Sequence, residues 1–167
     1  MRFGYVLALA ILVSAACAFS QETGALNESR IEMDFGTAFM HVGGTPSLNA
    51  WGLDFGSQYH LTSWLGYNGQ AWFAVGSRTS VHNYLFGPEV ILRRKISPFA
   101  HVMIGIAHQS QSGRNDTALG AAVGGGVAVN VNRRISWRAF EINYAPTYFR
   151  GVRQDNIRFS SSFSIHF

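Results

Sequence analysis

Few residues of this 167-residue chain stand at spacings that could do chemistry. His108-Gln109-Ser110 sets an imidazole beside a hydroxyl that it could deprotonate, with Asp116 as the nearest acid to orient the ring. Glu89 and Glu141 could serve as a general acid and base. The six histidines, at 41, 60, 82, 101, 108 and 166, show no H-x-x-x-H spacing and no cysteine partner, so no metal is expected. Gly124-Gly125-Gly126 is not followed by the Lys-Ser/Thr and helix of a phosphate loop, and reads as small residues that relieve crowding in a strand. No cofactor is expected.

The elements that must position these residues repeat at period two. In Asn156–Phe167, Ile157, Phe159, Phe163, Ile165 and Phe167 alternate with Asn156, Arg158, Ser160, Ser162, Ser164 and His166. Asn49–Leu61 and His82–Arg93 alternate as clearly. Ile31–Val42, Leu65–Gly76, Phe99–His108, Ala118–Val131 and Trp137–Ala145 fit the same template with less contrast. Thr62–Trp64, Arg94–Pro98 and Asn132–Ile135 are tight connectors. Gly43–Leu48, Ser77–Val81, Gln109–Thr117 and Pro146–Asp155 hold most of the Gly, Ser and Asn. An even number of strands of about ten residues, with short turns at one end and longer loops at the other, predicts an all-β, eight-stranded antiparallel up-and-down transmembrane β-barrel.

Composition agrees with that reading. Only 13% of residues are charged while 47% are hydrophobic and 14% aromatic, which argues against a disordered or coiled-coil chain. The length leaves no room for separate cofactor and substrate domains. Residues 1–18 read as a signal peptide: Arg2, an apolar run from Tyr5 to Val13, and an A-x-A pair at Ala16 and Ala18. Cleavage there removes Cys17, the single cysteine, whose acylation is the alternative. Residues 19–30 then form an N-terminal periplasmic segment, and 31–167 the barrel.

The inward face collects Glu32, Asp34, Asp54, Glu89 and Glu141 with Arg93 and Arg158, joined by His60 and His101. Buried charges persist only when paired, so this set reads as a network that plugs the lumen rather than an acid/base site.

The chain resembles the small eight-stranded outer-membrane barrels of OmpA/OmpX-like architecture from Ile31 to Phe167. Its terminus, Phe163-Ser164-Ile165-His166-Phe167, is similar to that family's C-terminal assembly signal, which implies recognition of Phe163, Ile165 and Phe167 by the barrel-assembly machinery. Val123–Val129, Trp137-Arg138 and Asn156–Ser160 look like acidobacterial members. The resemblance implies a bacterial outer-membrane location, periplasmic chaperones, and a structural or surface-interaction role without catalysis. It also implies contact with outer-membrane lipids and lipopolysaccharide. The net charge of +4 is spread around the chain rather than along one face, so no nucleic acid is expected. Arg78, Arg114, Arg150 and Arg153 fall in the longer loops, where guanidinium forks suit lipopolysaccharide phosphates. His108-Gln109-Ser110 also resembles the His-x-Ser element of outer-membrane lipid A deacylases, so a lipid-modifying enzyme using His108 and Ser110 is the alternative. A narrow porin is a further one. Host-interaction relatives carry long exposed strands, and none is expected here.

Overall fold

The computed structural model describes residues 30–43, 48–75, 79–111, 114–149 and 152–167. The expected signal peptide, Cys17, Arg78 and Arg150 lie outside the described residues, as does the side chain of Arg114. The strands are β1 (Ile31–Val42), β2 (Leu48–His60), β3 (Leu65–Val75), β4 (Thr79–Ile91) and β5 (Ile96–Gln111). They continue with β6 (Arg114–Asn130), β7 (Ile135–Tyr144), the short β8 (Thr147–Phe149) and β9 (Val152–Gln154), and β10 (Asn156–His166). The eight long strands form one antiparallel sheet in the order β5-β4-β3-β2-β1-β10-β7-β6, and β6 pairs back onto β5. First and last strands therefore meet, with Met33 opposite Ile165 and His41 opposite Ile157. Closure leaves no sheet edge, the condition for crossing a bilayer with strands. The β8–β9 hairpin stands in the last loop and touches the wall where Thr147 pairs with Gly120.

Side chains alternate across the wall because successive Cβ atoms of a strand point to opposite faces. β10 does so from end to end. The polarity is inverted relative to a water-soluble fold. Glu89, Glu141, Asn68, Asn143 and Arg158 are buried inside, while Trp51, Leu119 and Val75 are 68%, 68% and 70% exposed outside. Outward residues of β5 run apolar from Ile96 through Val102 and Ile104 to Ile106. At ~3.4 Å per residue and a tilt of roughly 40°, that stretch spans about the 25 Å belt of a membrane barrel.

Two expectations are corrected. Gln109–Gln111 and Arg114–Thr117 are strand rather than loop: β5 and β6 are 16 and 17 residues long and continue the ladder to Gln111 opposite Arg114. The chain thus does carry a strand pair that projects past its apolar belt. Pro146–Asp155 likewise holds the β8–β9 hairpin. Alternation also fails once, in β7. Val127 faces Phe140 and Ala128 faces Arg138, while on the other side Ser160 faces Glu141 and Ser162 faces Arg138. Both neighbours count one residue fewer than β7, so Ala139 is a β-bulge. Gly126 lies opposite Glu141 beside it, where a Cβ would fall 2.0 Å from the Phe140 carbonyl oxygen. Only glycine allows β6 to approach the bulged strand that closely.

Candidate functional site

The lumen is built around two guanidiniums. Arg138 from β7 meets Glu89 of β4 with both terminal nitrogens, at 2.8 and 3.4 Å. Its Nε lies 3.5 Å from Glu141, one terminal nitrogen lies 3.6 Å from Asp34, and Cζ stands 3.7 Å over the Phe99 ring. Arg158 from β10 donates to Glu141 at 2.8 Å and to Gln70, and lies 3.8 Å from Asp54. Glu141 is therefore shared between the two arginines. It also accepts from Gln70 at 3.0 Å and from Asn143 at 2.6 Å. His101 extends the network, with Nε2 2.6 Å from Asn143 Oδ1 and Nδ1 3.4 Å from Glu89. Six of the eight wall strands thus contribute charged or amide groups to one cluster.

A second cluster lies toward the short-turn end. Glu32 meets His60 at 2.7 Å, Arg93 at 3.0 Å and His166 at 3.1 Å, and His166 reaches Ser136 at 3.0 Å. At the loop end Met40, Val42, Trp72 and Val81 pack as an apolar lid over the polar centre. No group of histidine and carboxylate side chains suited to a metal ion occurs among the described residues.

Every residue of the expected inward set, Glu32, Asp34, Asp54, Glu89, Arg93, Glu141 and Arg158, faces the lumen. Arg138 was not legible by alternation, because counting three residues back from Glu141 turns it toward lipid. The pair itself was the available signal: an Arg and a Glu three apart in a strand can share the interior only across a bulge. Glu89 and Glu141 lie on either side of one guanidinium, each 2% exposed. Glu89 gives both oxygens to Arg138, while Glu141 turns Oε2 to Arg138 and Oε1 to Arg158, Gln70 and Asn143.

His108 and Ser110 are brought to the same outer face but not into contact. The His108 Nδ1 bonds the Thr117 hydroxyl of β6 at 2.8 Å. Asp116 falls on the opposite parity of β6 from Thr117, so it does not stand behind the imidazole. Phe163, Ile165 and Phe167 form an outward stripe, and Trp137 stacks on Phe163 at 6.3 Å while donating to Ser161 at 3.0 Å. The Phe167 amide bonds the Ile31 carbonyl at 2.9 Å and so completes the seam. At the loop rim Arg153 bonds Asp155 at 2.8 Å and also the Tyr144 hydroxyl, which itself donates to Asp155. Those hydrogen bonds, from Tyr144 first and Arg153 next, hold the exposed Asp155 carboxyl below its usual range.

The closed wall and its inverted polarity match solved membrane proteins. The fold is that of an outer-membrane β-barrel. The chain is similar to Neisserial surface protein A, with a TM-score of 0.65 and 14% identity over 83% of this chain and 98% of the other. Ail, the attachment invasion locus protein of Yersinia pestis, gives a TM-score of 0.53 at 14% identity, over 82% of this chain and 99% of its own. The N-terminal β-barrel domain of Pseudomonas aeruginosa OprF gives 0.50 at 13% identity, over 82% of this chain and 99% of that domain. No family model matches the chain, and comparison with curated proteins finds no match.

Proposed function

We propose that this chain is an integral protein of a bacterial outer membrane with a plugged lumen and no catalytic role, serving envelope structure or contacts at the surface. Its short turns and termini face the periplasm and its longer loops, with the β5–β6 hairpin, face outward. The observation that carries the reading is the ion-pair network of Arg138, Arg158, Glu89 and Glu141 across the lumen. A pore this narrow is filled by side chains, and ions could pass only by separating pairs that are costly to leave unpaired. The surface roles named for Neisserial surface protein A and Ail are of the kind this architecture serves. Outer-membrane lipids, lipopolysaccharide, periplasmic chaperones and the barrel-assembly machinery are the partners that follow.

Two measurements test this. Refolded protein in planar bilayers should give no steady open-channel steps, and reproducible conductance altered by Glu141→Gln would establish a pore instead. The barrel should migrate faster on a gel unheated than boiled, whereas a monomer soluble without detergent would refute insertion. The His108–Thr117 bond supports a non-catalytic reading of the His-x-Ser element. A mass spectrum of lipid A from cells with and without the protein should be identical, and a lost acyl chain would make it an enzyme.

A further inference from the structure

The outer face of β4, β5 and β6 changes chemistry in a single step. Tyr84, Ile106 and Leu119 stand side by side in register as the last apolar row. The next row is His82, His108 and Thr117, and the one beyond is Ser80, Ser110 and Asn115. The apolar stretch of β5 ends at Ile106 after about the 25 Å that a membrane barrel presents to hydrocarbon, so the histidine row stands at headgroup level. The two imidazoles are cross-strand neighbours with ring centroids 6.4 Å apart. When the Thr117 hydroxyl donates to Nδ1 of His108, the ring proton sits on Nε2, directed away from Thr117. His82 rests edge-on against Phe73 at 5.2 Å, and among the described residues its ring nitrogens make no hydrogen bond. No carboxylate faces outward from β3 to β6 among the described side chains: Glu89 is buried in the lumen and Asp116 has inward parity. This is a row of donors without a competing anion.

A groove of about 680 Å³ opens on the same face directly below. Its floor is Ser57, Gly69 and Ala71, and its walls are Phe55 on one side and Tyr84 and Phe86 on the other. It reaches Ile106, one row beneath His108. A polar row of donors at the mouth of an apolar groove is complementary to one kind of molecule. We propose that His82 and His108 bind the phosphate of an acylated, phosphate-bearing lipid whose acyl chain lies in this groove. This rests on the membrane reading above. It assigns to His108 a binding role shared with His82, in place of nucleophile activation at Ser110. The lipid keeps its bonds intact.

The test uses the full chain refolded into phosphatidylcholine vesicles doped with phosphatidic acid or with diacylglycerol of the same acyl chains. Lipid retained after mild detergent extraction is counted by native mass spectrometry. Phosphatidic acid should be retained several-fold over diacylglycerol. Removing both imidazoles, as His82→Ala with His108→Ala, should reduce phosphatidic acid retention by about tenfold or more, the loss expected for hydrogen bonds to a charged group. Ala71→Leu, which fills the groove floor, should reduce retention of both lipids. Equal retention of the two lipids, no change in the double variant, or displacement of phosphatidic acid by equimolar inorganic phosphate would each overturn the proposal. Heat-modifiable migration of every sample separates these outcomes from failure of insertion, which would count against the membrane reading instead.

Discussion

β10 and β7 lie side by side in the wall and obey different rules. β10 keeps strict alternation over its eleven residues, with Arg158 inside and Phe159 outside. β7 breaks step at Ala139, and as a result Arg138 and Glu141, three apart, both reach the lumen. Under perfect alternation Arg138 would face hydrocarbon, at ~2–4 kcal/mol near the bilayer midplane. It would also leave Glu89 without its closest cation. A bulge costs one unpaired ladder position, and the charge argument outweighs that. Period two decides the side a residue faces only while the alternative is not a charge in lipid.

Arg138→Met should have the largest effect, because it strips the cation from Glu89 and should cost about 3–5 kcal/mol in a urea titration. Arg158→Met should cost less, since Glu141 keeps Arg138 at 3.5 Å. The reverse order would place the centre of the network on β10. Adding Glu89→Gln to Arg138→Met should recover part of the loss.

The seam gives smaller effects. Phe167→Ala removes outward apolar surface and should cost under ~2 kcal/mol in purified protein, which should still refold. In cells it should lower the amount of folded barrel in the membrane, and normal levels would show that this terminus is not an assembly signal. Trp137→Phe keeps the stack on Phe163 but loses the bond to Ser161, worth about 1 kcal/mol. The smallest effect belongs to the rim. Asp155 sits lower in the folded chain than in the unfolded one, so its contribution is present at neutral pH and lost as pH falls through its depressed value, below about 4. Asp155→Asn should therefore match wild type at acid pH and differ from it, slightly, only above that range. A difference confined to acid pH would reverse the sign.

Much of the wall was legible because each clue was local. The ends of β1 follow from Ile31–Val42 alone, and the outward stripe of β10 from Ile157 to Phe167 is visible at a glance. Local clues mislead where strands support each other. Gln109–Thr117 is polar and reads as a loop, yet β5 and β6 hold one another in register through Ser110 and Asn115. Ladder bonds between two strands can continue beyond the lipid belt without an apolar stripe to announce them. The outer histidine row was likewise hidden, since His82 and His108 are 26 positions apart and only the register makes them neighbours.

Away from the bulge in β7, which residues would be apolar-out and polar-in was determined by the sequence, because the direction of a Cβ follows from the strand's own backbone. So was the strand count, set by eight alternating runs and the connectors between them. Partners were decided by the tertiary structure. Closure joins β1 to β10 across the full length of the barrel and narrows the lumen until Glu141 meets both Arg138 and Arg158. Bulge position is a property of three strands at once, since a residue is extra only relative to the neighbours it fails to pair with. Charge supplies the physical reason: an isolated strand in water has no penalty for turning Arg138 either way, and a strand in a closed wall between lipid and lumen does.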